Sequence, residues 1–164
     1  MRNSTPMEVT VMRKGLPVIL AAVLILLLPW SAGGATVQKL TLTMRDFKYT
    51  PAKVNLQVGV PAEITLINRG KVAHEFMIYD MPRQMSAMMM GHEWAEKTNY
   101  FRGHAVTVEG GKTNMRGQDL FEIIVSPGKT TTVKFTPARA GTFEFGCMIK
   151  GHYEAGQKGT LTIR

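Results

Sequence analysis

Phe145-Gly146-Cys147-Met148-Ile149-Lys150-Gly151-His152-Tyr153-Glu154-Ala155-Gly156-Gln157-Lys158-Gly159-Thr160-Leu161 leaves one apolar-alternating segment and enters another. Phe143 and Phe145 alternate with polar residues before it, and Leu161 and Ile163 do so after it, so the stretch reads as a loop between two strands. The loop offers a thiol, an imidazole and an amide at the spacing Cys-x4-His-x4-Gln, namely Cys147, His152 and Gln157. A loop of this length curls so that three side chains converge, and Gly146, Gly151, Gly156 and Gly159 relieve the backbone where it turns. A second imidazole, His74, opens the strand-like stretch Ala73-His74-Glu75-Phe76. One side chain from a strand and the others from a strand-to-strand loop make a site whose geometry the scaffold sets.

The donor chemistry favours copper. Thiolate is soft and imidazole borderline, and two imidazoles with one thiolate and a weak fourth donor form the type 1 copper set. One copper per chain is expected, held by His74, Cys147, His152 and Gln157. Cys147 is the chain's one cysteine, so no intrachain disulfide is available. In an oxidising compartment a lone thiol is a liability unless it is buried or metal-bound.

The surrounding pattern is all-β. Leu40, Leu42 and Met44 alternate with polar residues, as do Val54, Leu56 and Val58, then Ile64 and Leu66, then Phe121, Ile123 and Val125, then Thr131, Val133 and Phe135. Turn signals separate them at Val58-Gly59-Val60-Pro61, Asn68-Arg69-Gly70, Ser126-Pro127-Gly128 and Ala140-Gly141. Short strands at this spacing predict a β-sandwich or barrel. Residues 80–119 break the rhythm and exceed the usual ~2–6 residues of a connection. Met81, Met85, Met88, Met89 and His92 fall on one face of a helix, and Ala105-Val106-Thr107-Val108 followed by Gly110-Gly111 predicts a hairpin. An inserted, Met-rich flap carrying a short helix is therefore expected over about 80–119.

The N-terminal part differs in kind. Arg13 and Lys14 precede an apolar run from Leu16 to Trp30, and the small residues Ser31-Ala32-Gly33-Gly34-Ala35 follow. This is the pattern of a secretory signal peptide over 1–35, cleaved after Ala35; the rival reading is an uncleaved membrane anchor. The domain proper is then 36–164, in the periplasm or another extracytoplasmic space. The net charge of +8 comes from scattered basic residues with no run that suggests nucleic acid. A monomer is expected.

The loop with its distant histidine resembles the copper loop of the cupredoxins, the small blue copper proteins. The stretch Asp46-Phe47-Lys48-Tyr49-Thr50-Pro51-Ala52-Lys53-Val54 and the later Leu66-Ile67-Asn68-Arg69-Gly70-Lys71-Val72-Ala73-His74-Glu75-Phe76 are similar to bacterial members. The likeness spans Leu40 to Arg164 apart from the flap. It implies a Greek-key β-sandwich and outer-sphere electron transfer, with His74, Cys147 and His152 binding equatorially and Gln157 axially. Most relatives carry Met where Gln157 stands, and stellacyanin-like members carry Gln. Glu75 stands where azurin and plastocyanin have Asn, which leaves the hydrogen bonds to the thiolate open. Asn68 reads either as the fastener of the ligand loop or as an ordinary turn residue.

Three functions compete. An electron carrier working between protein redox partners suits a rigid redox site. A Cu(I) chaperone or store would use the methionines of the flap, although the same stripe equally suits packing of a helix. An enzyme needs an open metal position with an acid or base beside it. Glu75 and Glu154 flank ligands, but no second cluster of paired histidines accompanies them, so no catalysis is expected. Met148 reads as packing. Trp94, Tyr100 and Phe101 have the bulk either to cover the metal or to pack the flap.

Overall fold

The computed structural model describes residues 36–82 and 91–164. Among the described residues, eleven strands and one short helix run in the order β1 (Gln38–Arg45), β2 (Lys48–Thr50), β3 (Lys53–Leu56), β4 (Ala62–Asn68), β5 (His74–Asp80), α1 (His92–Lys97), β6 (Val106–Glu109), β7 (Lys112–Arg116), β8 (Asp119–Val125), β9 (Thr130–Phe135), β10 (Gly141–Gly146) and β11 (Lys158–Ile163). They form two sheets, of order β2-β1-β4-β9-β6 and β3-β11-β10-β5-β8-β7. Both are mixed. The β1–β4 and β11–β3 pairs are parallel, and the other pairs are antiparallel. The protein is a β-sandwich, as the alternation predicts.

The period of two sets which residues meet between the sheets. Ala62, Ile64 and Leu66 of β4 point inward, and Leu161 and Ile163 of β11 face them from the other sheet. Phe76, Phe145 and Tyr49 add edge-on aromatic contacts to the same core. β5 is buried on both faces, which explains its nearly continuous apolar run. Its outward residues Met77 and Tyr79 pack with Ala95 and Phe121, beside Trp94 and Met148. Met148 is thus a packing residue. Tyr100 and Phe101 lie in the main core against Phe135 and Phe143, not over the metal site.

The expected hairpin at Gly110-Gly111 is not formed. β6 pairs with β9 in the first sheet, and β7 pairs with β8 in the second. Gly110 and Gly111 both have positive φ, and they carry the chain across the edge of the sandwich from one sheet to the other. Their alternating flanks look like hairpin arms because each does pair, but with strands distant in sequence. The flap expected over 80–119 therefore shrinks: residues from 106 onward belong to the sheets. A short helix, α1, lies just after the expected methionine face and shares only His92 with it; it is held to β5 by the Trp94 indole N–H donating to the Asp80 carbonyl at 2.9 Å. The methionine stripe lies outside the described residues except for Met81, and so does the N-terminal segment 1–35.

Candidate metal centre

β10 ends at Gly146, and the loop that follows is built on the continued ladder. The Cys147 N–H donates to the Gln157 carbonyl at 3.1 Å, which closes the base of the loop just before β11. Inside, the His152 N–H bonds the Ile149 carbonyl and the Gln157 N–H bonds the His152 carbonyl. Gly151 and Gly156 have positive φ, so these two tight turns form without strain. Tyr153 donates its hydroxyl to Glu144 on β10 at 2.8 Å, and Tyr79 of β5 donates to the same oxygen at 3.0 Å, which pins the loop beside His152 to the sheet.

His74 begins β5, paired with Val125 at the end of β8, and so reaches the same end of the sandwich. One nitrogen of His74, the Cys147 sulfur and one nitrogen of His152 lie within 4.8 Å of one another, and all three residues are buried. Cys147 Sγ is 3.3 Å from His152 Nδ1, and the two imidazole rings are 5.2 Å apart. The Gln157 amide sits beside the His74 imidazole. Three of the four residues named from the sequence, His74, Cys147 and His152, are thus brought to one place, and Gln157 lies beside one of them. Of the four, three are fully buried, and His152 alone retains exposure, at 9%. The ring of Phe47, 39% exposed, lies 4.7 Å from the His152 ring.

The unmade hydrogen bonds indicate a ligand. His74 Nδ1 and both amide atoms of Gln157 are buried with no hydrogen-bond partner. Each such group costs about 1–3 kcal/mol unless something else satisfies it. A cation held by His74 Nδ1 and the Gln157 oxygen, with the sulfur and His152 Nδ1, does so for the two acceptors. The donor set fits one copper ion. Burial pushes the Cys147 thiol up to about 11, so it is protonated at neutral pH and gives up its proton when a metal binds. Burial also lowers the His74 pKa, which keeps its ring neutral and able to donate a lone pair.

Neighbouring groups fix these side chains. The Glu75 N–H points at Cys147 Sγ, 3.3 Å away. The Glu75 carboxylate turns inward and accepts the Met148 N–H at 2.9 Å. Burial, with Glu122 beside it, raises the Glu75 pKa to about 8. Glu154, the other acid flanking a ligand, is exposed. Asp46, in the turn between β1 and β2, places Oδ1 3.0 Å from His74 Nε2. Asn68 is the fastener rather than a plain turn residue: its amide donates to the Val72 and Val125 carbonyls, and its oxygen accepts the Gly70 N–H, all at 2.8 Å.

A two-sheet sandwich with two histidines and a cysteine gathered at one end makes this chain similar to the cupredoxin-like proteins. A family model described as a cupredoxin-like domain matches residues 18–93. More particularly, the chain is 27% identical over 138 residues to the copper-resistant cuproprotein CopI of Pseudomonas aeruginosa, covering 77% of this chain and 76% of that protein. The CopI of Rubrivivax gelatinosus is 25% identical over 117 residues, which is 71% of this chain and 60%, less than two-thirds, of that protein. Among solved structures, reduced auracyanin from Roseiflexus castenholzii superposes with a TM-score of 0.56 at 19% identity, over 80% of this chain and 99% of that one. Auracyanin A of Chloroflexus aurantiacus, a blue copper protein, gives 0.53 at 15% identity, over 79% of this chain and 100% of that one. A multicopper oxidase from Campylobacter jejuni gives 0.51 at 14%, with only 30% of its chain covered. These structural likenesses show the fold.

Proposed function

We propose that this chain is a mononuclear type 1 copper protein that passes single electrons between protein partners. The observation that carries the reading is the buried, preassembled set of His74, Cys147 and His152, whose donor atoms lie within 4.8 Å of one another. Copper bound there supplies one-electron chemistry by alternating between Cu(II) and Cu(I). The protein's part is to hold the donors still, so that little reorganises when the charge changes. The loop ladder, the Glu75 N–H on the sulfur and the Asn68 bonds serve that end. His152, with its slight exposure under Phe47, provides the short route between the site and the surface. Gln157, buried beside His74, would supply the fourth donor and leave no open coordination position for a substrate, which favours a carrier over an enzyme. The basic and apolar N-terminal sequence supports export, with the domain working outside the cytoplasm.

A copper-handling role is the second reading. Its support is that both CopI relatives are named copper-resistant cuproproteins, together with the methionine-rich sequence before α1. The visible and EPR spectra of copper-loaded protein, combined with metal stoichiometry, separate the two. One copper per chain with an intense sulfur-to-copper band supports the carrier. More than one copper, passed readily to an apo acceptor, supports handling. Fully loaded protein without the band rejects the type 1 reading.

Two variants extend the test. Gln157→Met replaces a hard amide oxygen with a soft thioether and is expected to raise the reduction potential, each ~59 mV being tenfold in the one-electron equilibrium. An unchanged potential in a redox titration would show that Gln157 does not face the copper. Gly70→Ala adds a Cβ that overlaps Asp46 Oδ1 and lies 2.7 Å from His74 Nε2. Chelator competition is expected to show copper affinity about 10- to 100-fold lower, the range for losing a residue that supports a ligand.

A further inference from the structure

His74 is held from outside the site by an ionised group. Asp46 Oδ1 lies 3.0 Å from His74 Nε2, and both oxygens of that carboxylate also accept the Lys71 N–H, at 3.1 and 3.0 Å. Gly70 leaves room for this contact, since any side chain there would occupy the space of the carboxylate. Among the described residues, no lysine or arginine side chain forms an ion pair with Asp46, so its charge is met by the backbone at Lys71 and Val72, the imidazole and the solvent that reaches its 29%-exposed side chain. On the other side of the ring, His74 Nδ1 is buried and unpartnered, and one nitrogen of the ring lies within 4.8 Å of the Cys147 and His152 donor atoms. A carboxylate on the far nitrogen requires a proton there, which leaves Nδ1 free to donate its lone pair.

We propose that Asp46 is a positioning residue that locks His74 as the Nε2–H tautomer with Nδ1 turned into the site, and that its negative charge, paired with no cationic lysine or arginine, favours the more highly charged Cu(II) state. The second half rests on the copper reading above; the first half does not. The carboxylate makes the imidazole a stronger donor through the shared proton, and a nearby anion stabilises a doubly charged centre more than a singly charged one. The protein thereby lowers its own reduction potential with a residue that never touches the metal.

The two halves separate in two variants. Asp46→Asn keeps an oxygen able to accept from Nε2 and removes the charge, whereas Asp46→Ala removes both. In the metal-free protein, long-range nitrogen–proton NMR correlations are expected to report His74 as Nε2–H in the wild type and in Asp46→Asn, and as a mixture of tautomers in Asp46→Ala. In copper-loaded protein, Asp46→Asn is expected to shift the equilibrium about tenfold toward Cu(I), read as a rise of ~59 mV in a redox titration. A wild-type His74 found as Nδ1–H would overturn the positioning role. A potential unchanged in Asp46→Asn would overturn the charge effect. Wild-type protein that takes up no copper would overturn the copper reading and the charge effect with it, while the metal-free tautomer would still decide whether Asp46 positions His74.

Discussion

Cys147→Ser is expected to abolish the intense visible band and to lower copper affinity by more than the ~100-fold that marks the loss of a supporting residue. The sulfur is the one soft donor at the site, 3.3 Å from His152 Nδ1 and met by the Glu75 N–H. A serine hydroxyl is hard, does not ionise near neutral pH and gives no sulfur-to-copper charge transfer. Folding should survive, because serine is nearly the size of cysteine and its hydroxyl can accept from the same Glu75 N–H. Burying that hydroxyl in place of a thiol costs about 1–3 kcal/mol if it is left unpaired, so chemical denaturation of the metal-free variant provides the control. Absorption spectroscopy and chelator competition give the decisive readings. Since no other cysteine is present, a band that persists in the variant would mean that it does not arise from a thiolate on copper, which rejects the type 1 reading. Loss of the band with Cu(I) still retained would locate soft binding in the methionine-rich segment and favour copper handling.

What the sequence made legible follows from which parts of the site are local. Cys147, His152 and Gln157 share one loop, so their spacing is the site's geometry written in order, and the closure of Cys147 onto Gln157 follows from the two flanking strands meeting as a hairpin. His74 was readable because it opens an apolar run that only a central, doubly covered strand requires. Asp46 was not, since it is 28 residues from His74 and sits in a turn, where an aspartate ordinarily needs no explanation beyond the turn itself. Glu75 is legible as a departure from a resemblance and as an acid flanking a ligand, but its inward turn is not. An acid beside a ligand reads as solvent-facing, and nothing local reveals that the Met148 N–H draws it inside. The stretch Ala105-Val106-Thr107-Val108 is legible as extended, but its partner is β9 rather than the chain after Gly110-Gly111, because periodicity reports which face is buried and not which strand lies alongside.

Asn68 carries the next largest expected effect, since it joins the two sheets at the metal end. It ends β4 in one sheet, and its side-chain amide donates to the Val125 carbonyl at the end of β8 in the other. Its remaining bonds hold the Val72 carbonyl and the Gly70 N–H, the two ends of the short turn that leads into His74. Asn68→Ala removes all three partners from a fully buried position. Water can reach part of the turn but not the Val125 carbonyl, so the loss is expected to be about 3 kcal/mol rather than three full penalties. The backbone bonds from Asn68 to Lys129 and Gly128 remain, which should keep the strand in register. The consequence for the site is separate from the loss of stability. With the turn released, Gly70 and Lys71 no longer hold Asp46 against His74, and copper affinity should fall about 10- to 100-fold even where the variant is fully folded. Urea denaturation of metal-free protein measures the first effect, and chelator competition well below the unfolding transition measures the second. A variant that loses stability but binds copper like the wild type would show that Asn68 ties the sheets together without setting the ligand.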